Sequence, residues 1–227
     1  MRSQAIKPQP TSTRNLKAIK FALAGLVALA LFQPAFAAGD AKSGEAKIAV
    51  CTACHGSDGN SAAPSFPRLA GLGEKYLLKQ LLDIQSGKRA VAEMTGMLNG
   101  LNEQDLADIA AFYAAQTPKL AGASEDLKSL ALGERVYRAG NLETGVPACT
   151  GCHSPLGKGN SPAGYPELGG QHGAYIAKQL HAFRTGAHDE ADPSARKNDE
   201  SRVMRGVAAH MTDQEIKAVA NYISGLH

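Results

Sequence analysis

A chain of 227 residues with 24 Lys and Arg against 21 Asp and Glu carries a formal charge of +3, and offers no basic body on which nucleic-acid binding could rest. Even that small excess is concentrated at the start, where Arg2, Lys7, Arg14, Lys17 and Lys20 precede the apolar run FALAGLVALALF without one acidic residue among them. This is a secretory signal pattern: the run of about 12 residues falls short of the roughly 20 needed to span a bilayer, and Ala35-Phe36-Ala37 supplies small residues for cleavage after Ala37. Loss of residues 1–37 removes five basic groups and no acidic ones, leaving a mature chain of about −2 in an oxidising compartment.

In chain order, a first helix is expected from Asp40 into Cys51, followed by the stretch VCTACHGSDGNS at 50–61. FPRLAGLGEKYLLKQL leads into a helix from Glu74 to Ser86, and Asn102 with Asp105 opens another that carries Leu106, Ile109, Ala110 and Tyr113 on one face. The breaker-rich joint Thr117-Pro-Lys-Leu-Ala-Gly122 follows, and then the chain is written a second time. A helix from Ser124 to about Gly140 precedes ACTGCHSPLGKGNS at Ala148, and YPELGGQHGAYIAKQL at 165–180 repeats the earlier segment at an offset of 99, with a helix from Gly173 to Thr185. EMTGMLNGLNEQDLADIAAFYA then aligns with VMRGVAAHMTDQEIKAVANYIS at an offset of 110, where Thr212-Asp-Gln-Glu215 has capping-box form before Ile216, Val219, Ala220 and Ile223. The extra length falls in AHDEADPSARKNDES after Gly186, expected as a solvated surface insertion. Strand signals are nearly absent, so the fold expected is all-α: two tandem domains at 38–118 and 124–227 with a linker at 119–123.

Cys51, Cys54, Cys149 and Cys152 are all the cysteines of the chain, and each pair is followed at once by a histidine, His55 or His153. Two thiols spaced by two residues could serve a disulfide, a zinc ion or two thioether bonds. Zinc would require further ligands at a second spacing that neither repeat contains, and one four-thiolate site would leave both histidines unexplained. A thioredoxin-like pair would need strands. Covalent haem accounts for all three residues of each motif, the thiols bonding the macrocycle and the histidine ligating iron. For the opposite axial position the repeat selects Met94 and Met204, which coincide at the 110 offset; Met97 and Met211 do not, and read as core fillers. Each motif and its methionine should then flank an apolar pocket. His172, His181, His188, His210 and His227 have no repeated counterpart and read as surface or ordinary structural residues. Pro67 and Pro166, 12 and 13 residues after their histidines, are placed where a carbonyl could accept the histidine's other ring N–H, or where a loop merely turns.

With two Cys-x-x-Cys-His motifs, two repeated methionines and two Pro-x-Leu segments, the mature chain resembles the dihaem cytochrome c4 family along essentially its full length. The resemblance implies two cytochrome c domains facing each other about a pseudo-twofold axis. One haem would be held by Cys51, Cys54, His55 and Met94 and the other by Cys149, Cys152, His153 and Met204, with the carbonyls of Pro67 and Pro166 orienting the histidines. It also implies a periplasmic electron carrier, loosely associated with the membrane surface, that takes electrons from a quinol-oxidising complex or dehydrogenase and passes them toward a haem-copper terminal oxidase. Two other classes are compatible with two haem motifs: a dihaem peroxidase with one open iron, and a dihaem subunit of a dehydrogenase complex. Matched methionines in both repeats argue against the open site.

Overall fold

The computed structural model describes residues 38–227, which form one compact helical unit; the expected signal peptide lies outside the described residues. In the first repeat a short helix α1 (Ala41–Glu45) is followed by α2 (Thr52–His55), α3 (Glu74–Gln85), a 3-10 turn at Ala92–Met94 and α4 (Glu103–Ala114). The second repeat has α5 (Leu127–Ala139), α6 (Thr150–His153), α7 (Gly173–His188), α8 (Val203–Ala209) and α9 (Asp213–Ser224). Among the described residues the β content is two isolated bridges, Asn141 with Val146 and Asn160 with Tyr165, and no helix is long and apolar enough to cross a membrane.

The ends of these helices follow from their sequences. Both closing helices begin with a capping box: Asn102 and Asp105 exchange side-chain and backbone hydrogen bonds at α4, and Thr212 and Glu215 do so at α9. Asp126 accepts from the Ser129 N–H to cap α5. The first helix is shorter than the sequence suggests. The chain leaves it after Glu45 so that Lys47 can pair with Asp105 and Asp108 on α4, at 2.9 and 2.6 Å, and Ile48 can enter the core. α7 runs one turn further than expected, to His188.

Each repeat is organised by the crossing of its first and last helices. A Cβ on Gly44 would lie 2.1 Å from the Asp108 carbonyl oxygen, and one on Gly133 would lie 2.2 Å from that of Ala218. Only glycine lets these backbones approach so closely. Behind the crossings lie two apolar clusters, one of Ile48, Leu72, Leu77, Ile109, Phe112 and Tyr113, the other including Val136, Tyr137, Ile176, Ile216, Val219 and Ile223. Full burial of an Ile, Leu or Val among these contributes about 1.5–3 kcal/mol. Met211 joins the second cluster as expected at 3% exposure, but Met97 is 50% exposed on the turn after Met94 and fills no core.

The segment after Gly186 also departs from expectation. Residues 188–191, 193, 194 and 197 are exposed as expected, but the segment also folds back to bury Arg196 and Asn198 against the first repeat. Asn198 donates to Gln80 and Asp83 of α3, and Arg196 donates to Gln80 and Tyr76. Polar groups on α3 need partners once they are covered, and the insertion supplies them.

Candidate functional site

The two Cys-x-x-Cys-His motifs fold alike. In each, a single helical turn starts at the first cysteine and ends at the histidine, whose backbone N–H donates to that cysteine's carbonyl at 2.9 Å. The residue after the histidine takes positive φ, 77° at Gly56 and 65° at Ser154, which turns the chain away and leaves the ring facing inward. His55 and His153 are buried, and each Nδ1 lies 3.0 Å from a proline carbonyl, Pro67 for His55 and Pro166 for His153. A carbonyl can only accept, so Nδ1 carries the proton and Nε2 keeps its lone pair. Burial pushes both imidazole pKa values down, against the smaller opposing effect of the carbonyl, and so favours the neutral ring. The loop prolines are thereby acceptors in this geometry and not simple turn residues.

The four thiols are free of disulfides. Burial raises Cys51 above its ordinary value and pushes Cys149 up to about 11. Among the described residues no three His, Cys, Asp or Glu side chains converge as a metal cluster, so the fold does not join the two cysteine pairs into a four-thiolate site.

A cavity of about 650 Å³ brings together Cys51, Cys54, His55, Pro67 and Met94, walled by apolar side chains such as Leu69, Leu77, Leu98 and Ile109. It continues across the boundary between repeats to Pro166, Leu168 and Ile176. Cys149, Cys152, His153 and Met204 do not line it; Cys149 and Met204 pack with Leu168 on the second repeat's core cluster. The expectation of a pocket between each motif and its methionine is therefore met at the first motif; the second repeat closes the far wall of that cavity with Pro166, Leu168 and Ile176, and its own motif takes no part in it.

Where the repeats meet, the cavity wall turns polar, and here sequence reasoning missed the central residues. Arg89 of the first repeat donates to its own Gln80 and, across the boundary, to Tyr175 and Gln179. Arg196 of the second donates to its own Gln179 and, across the boundary, to Tyr76 and Gln80. Both guanidiniums are buried, and among the described residues their hydrogen-bond partners are all neutral. Buried cations without carboxylate partners are costly, and a group that is apolar over most of its surface and anionic at one edge would satisfy this site. Haem, with its two carboxylate side chains, fits on those grounds, and fits the paired thiols and the free Nε2 lone pairs as well. The missed signal is faint: Arg89 and Arg196 are 107 residues apart, an offset lying between the flanking 99 and 110.

Comparison with known proteins agrees with this chemistry. The cytochrome c family profile matches residues 41–117 and again 130–227. The chain is 53% identical to cytochrome c4 of Pseudomonas aeruginosa over 203 residues, 89% of this chain and 96% of that one. It is 36% identical to the thiosulfate dehydrogenase electron acceptor of Stutzerimonas stutzeri, over 93% of this chain and 97% of that one. The crystal structure of reduced recombinant cytochrome c4 from Pseudomonas stutzeri superposes with a TM-score of 0.77 at 52% identity, covering 84% of this chain and all of that one.

Proposed function

The chain belongs to the cytochrome c4 family, and from that premise we propose that it works in the periplasm, taking single electrons from a quinol-oxidising complex or a dehydrogenase and passing them toward a haem-copper terminal oxidase. It is a dihaem electron carrier with covalently attached haem c, not an enzyme. In this reading Cys51 and Cys54 would hold one haem and Cys149 and Cys152 the other, with His55 and Met94 as iron ligands of the first and His153 and Met204 of the second. Bound haem supplies a one-electron ferric/ferrous couple.

The residues around it keep the reaction to electron transfer. Pro67 and Pro166 fix each imidazole's tautomer and orientation, and the apolar wall of Leu69, Leu77, Leu98 and Ile109 limits water at the first site. Met94 and Met204, as thioether ligands, would leave no open place for a substrate and would raise the potential relative to a second histidine. The observation that most supports the reading is the repeated contact of 3.0 Å from histidine Nδ1 to proline oxygen, which leaves two equivalent Nε2 atoms for iron.

The test is the absorption spectrum of the mature protein in both redox states, with a pyridine haemochrome assay. Two haems per chain and the weak near-infrared methionine-to-iron band are expected; a high-spin component that binds carbon monoxide would overturn the two-methionine assignment. The similarity to a thiosulfate dehydrogenase electron acceptor supports a second reading, in which the upstream donor is a dehydrogenase of that kind. Reduction by purified thiosulfate dehydrogenase, compared with reduction by a quinol-oxidising complex, separates the two.

A further inference from the structure

The two repeats exchange a tyrosine and an isoleucine between one pair of core positions. Superposing the glycine crossings, Gly44 on Gly133, places Ile48 opposite Tyr137, while the 110 offset places Tyr113 opposite Ile223. Each repeat thus has one tyrosine and one isoleucine at the helix crossing, but on exchanged helices. Both tyrosines are buried, at 1% exposure for Tyr113 and 0% for Tyr137, and each lies beside the first cysteine of its own motif.

The exchange changes what the hydroxyls do. Tyr137 donates to the Ser154 carbonyl at 2.7 Å, so its O–H is committed to the backbone just after His153. Tyr113 lines the cavity with Cys51, Cys54 and His55; its hydroxyl, fully shielded from water, has no oxygen or nitrogen partner among the described residues, and the Cys51 sulfur beside it is too poorly placed or too weak an acceptor to satisfy it. Leaving a buried hydroxyl unsatisfied costs about 1–3 kcal/mol, so a phenol retained there without a partner calls for one that arrives with the bound group. The Cys51 sulfur, a thioether once haem is attached, is the neighbouring weak acceptor.

We infer that Tyr113 is a potential-setting residue of the first haem site: its O–H would donate toward the Cys51 sulfur, stabilise the electron-rich ferrous state and hold that site's potential above the value it would have without the hydroxyl. The inference rests on the dihaem His/Met reading above. Hydrogen bonds to cofactor sulfur and close to the macrocycle withdraw electron density, and in a dry cavity one such dipole is not screened. In the second repeat Ile223 offers no dipole and Tyr137 has spent its own.

The experiment is a spectroelectrochemical titration of the holoprotein and its Tyr113→Phe, Tyr137→Phe and Met94→His variants. Met94→His marks the wave of the first site. Tyr113→Phe is expected to move that same wave to lower potential by up to about tenfold in the ferric/ferrous equilibrium, which is 59 mV for one electron, with the other wave in place and folding stability unchanged or improved. Tyr137→Phe, losing a satisfied hydrogen bond, should lower stability and leave the first wave where it is. A Tyr113→Phe protein that holds two haems and the near-infrared band but shows both waves unmoved, or the first wave raised, overturns the inference. Loss of the haems or of that band in the parent protein would instead overturn the functional reading beneath it.

Discussion

Gly133→Ala adds one methyl group where α5 crosses α9, and its cost can be worked from the distances there. The new Cβ would sit 2.2 Å from the Ala218 carbonyl oxygen, 2.7 Å from the Ala218 carbonyl carbon and 2.7 Å from Tyr222 Cβ. Two of the three are backbone atoms that no rotamer change can move, so the helices must part by about 1 Å before the overlap is relieved. Overpacking of this kind costs typically 1–3 kcal/mol, and here the upper end or more is expected because backbone meets backbone. Against it stands a gain of about 1 kcal/mol from replacing a helical glycine with alanine. A net loss of about 2 kcal/mol follows. Gly206, in α8, supplies the control: a Cβ there meets nothing within 4 Å, so Gly206→Ala should keep its propensity gain of about 1 kcal/mol. The displacement also reaches the site, because the Tyr137 carbonyl on α5 accepts from the Cys149 N–H at 2.9 Å. Guanidinium unfolding of the two holoproteins, followed at a haem band, reads the difference of about 3 kcal/mol between the substitutions. A Gly133→Ala protein as stable as the parent would show that the crossing is not close-packed at this position.

Two further outcomes follow from the interface and from the α1–α4 contact. Arg196→Met removes hydrogen bonds to Gln80, Gln179, Tyr76 and Asn198, and should lower stability by about 2 kcal/mol or more. Limited proteolysis of this variant should become faster at the 117–122 joint, and an unchanged cleavage rate would refute a role in holding the repeats together. Asp108 accepts from the Lys47 ammonium, the Asp40 N–H and the Gln104 amide, and these hold its carboxyl down to about 2 from the ordinary 3.8. A depressed folded-state pKa contributes stability that is present above 3.8 and lost as pH falls toward 2. Asp108→Asn should therefore destabilise at neutral pH and flatten the stability profile between those two values; a variant with the parent's acid slope would refute the assignment.

What the sequence made legible are features carried by local residue patterns. Cys-x-x-Cys-His followed by the Pro-x-Leu segment, the two capping boxes and the apolar stripes of α4 and α9 each declare themselves within about twenty residues, and the structure places them as read. What escaped depends on pairing between distant segments. The early end of α1 is set by Lys47 reaching for Asp105 and Asp108, some 60 residues away. The charged run after Gly186 is solvated over most of its length, but its composition says nothing of Gln80 and Asp83, the groups that Arg196 and Asn198 cover. Met97 has the composition of a core residue, but the turn from Met94 to Gly100 carries it outward. Tyr113 and Tyr137 could not be recognised as exchanged partners until the crossing glycines fixed the alignment of the first helices.

The insertion itself shows how two unequal repeats keep one interface. Arg196 N–H donates to the Ala182 carbonyl as Arg89 N–H donates to that of Asp83, and Ala182 and Asp83 are equivalent at the 99 offset. The eight additional residues lie between Ala182 and Arg196, so the chain loops outward and returns its arginine to the symmetric place. Reciprocal Arg–Tyr–Gln contacts then form on both sides of the boundary. Another contact breaks the symmetry in an informative way. Arg68 and Glu167 are equivalent at the same offset, yet they approach each other across the boundary at 3.9 Å. A position that meets its own equivalent lies at the pseudo-twofold axis. In a symmetric dimer of either repeat that contact would set arginine against arginine or glutamate against glutamate, a repulsion in a buried place. Joining the repeats in one chain frees the two copies to differ. Arg68 can then face Glu167, its Nη2 can donate to the Gly169 carbonyl, and its backbone can exchange hydrogen bonds with Gln171. Tandem fusion thus permits an opposite-charge contact at the axis that no homodimer of these domains could make, and fixes the facing of the two haem-binding repeats from which electron transfer between them would proceed.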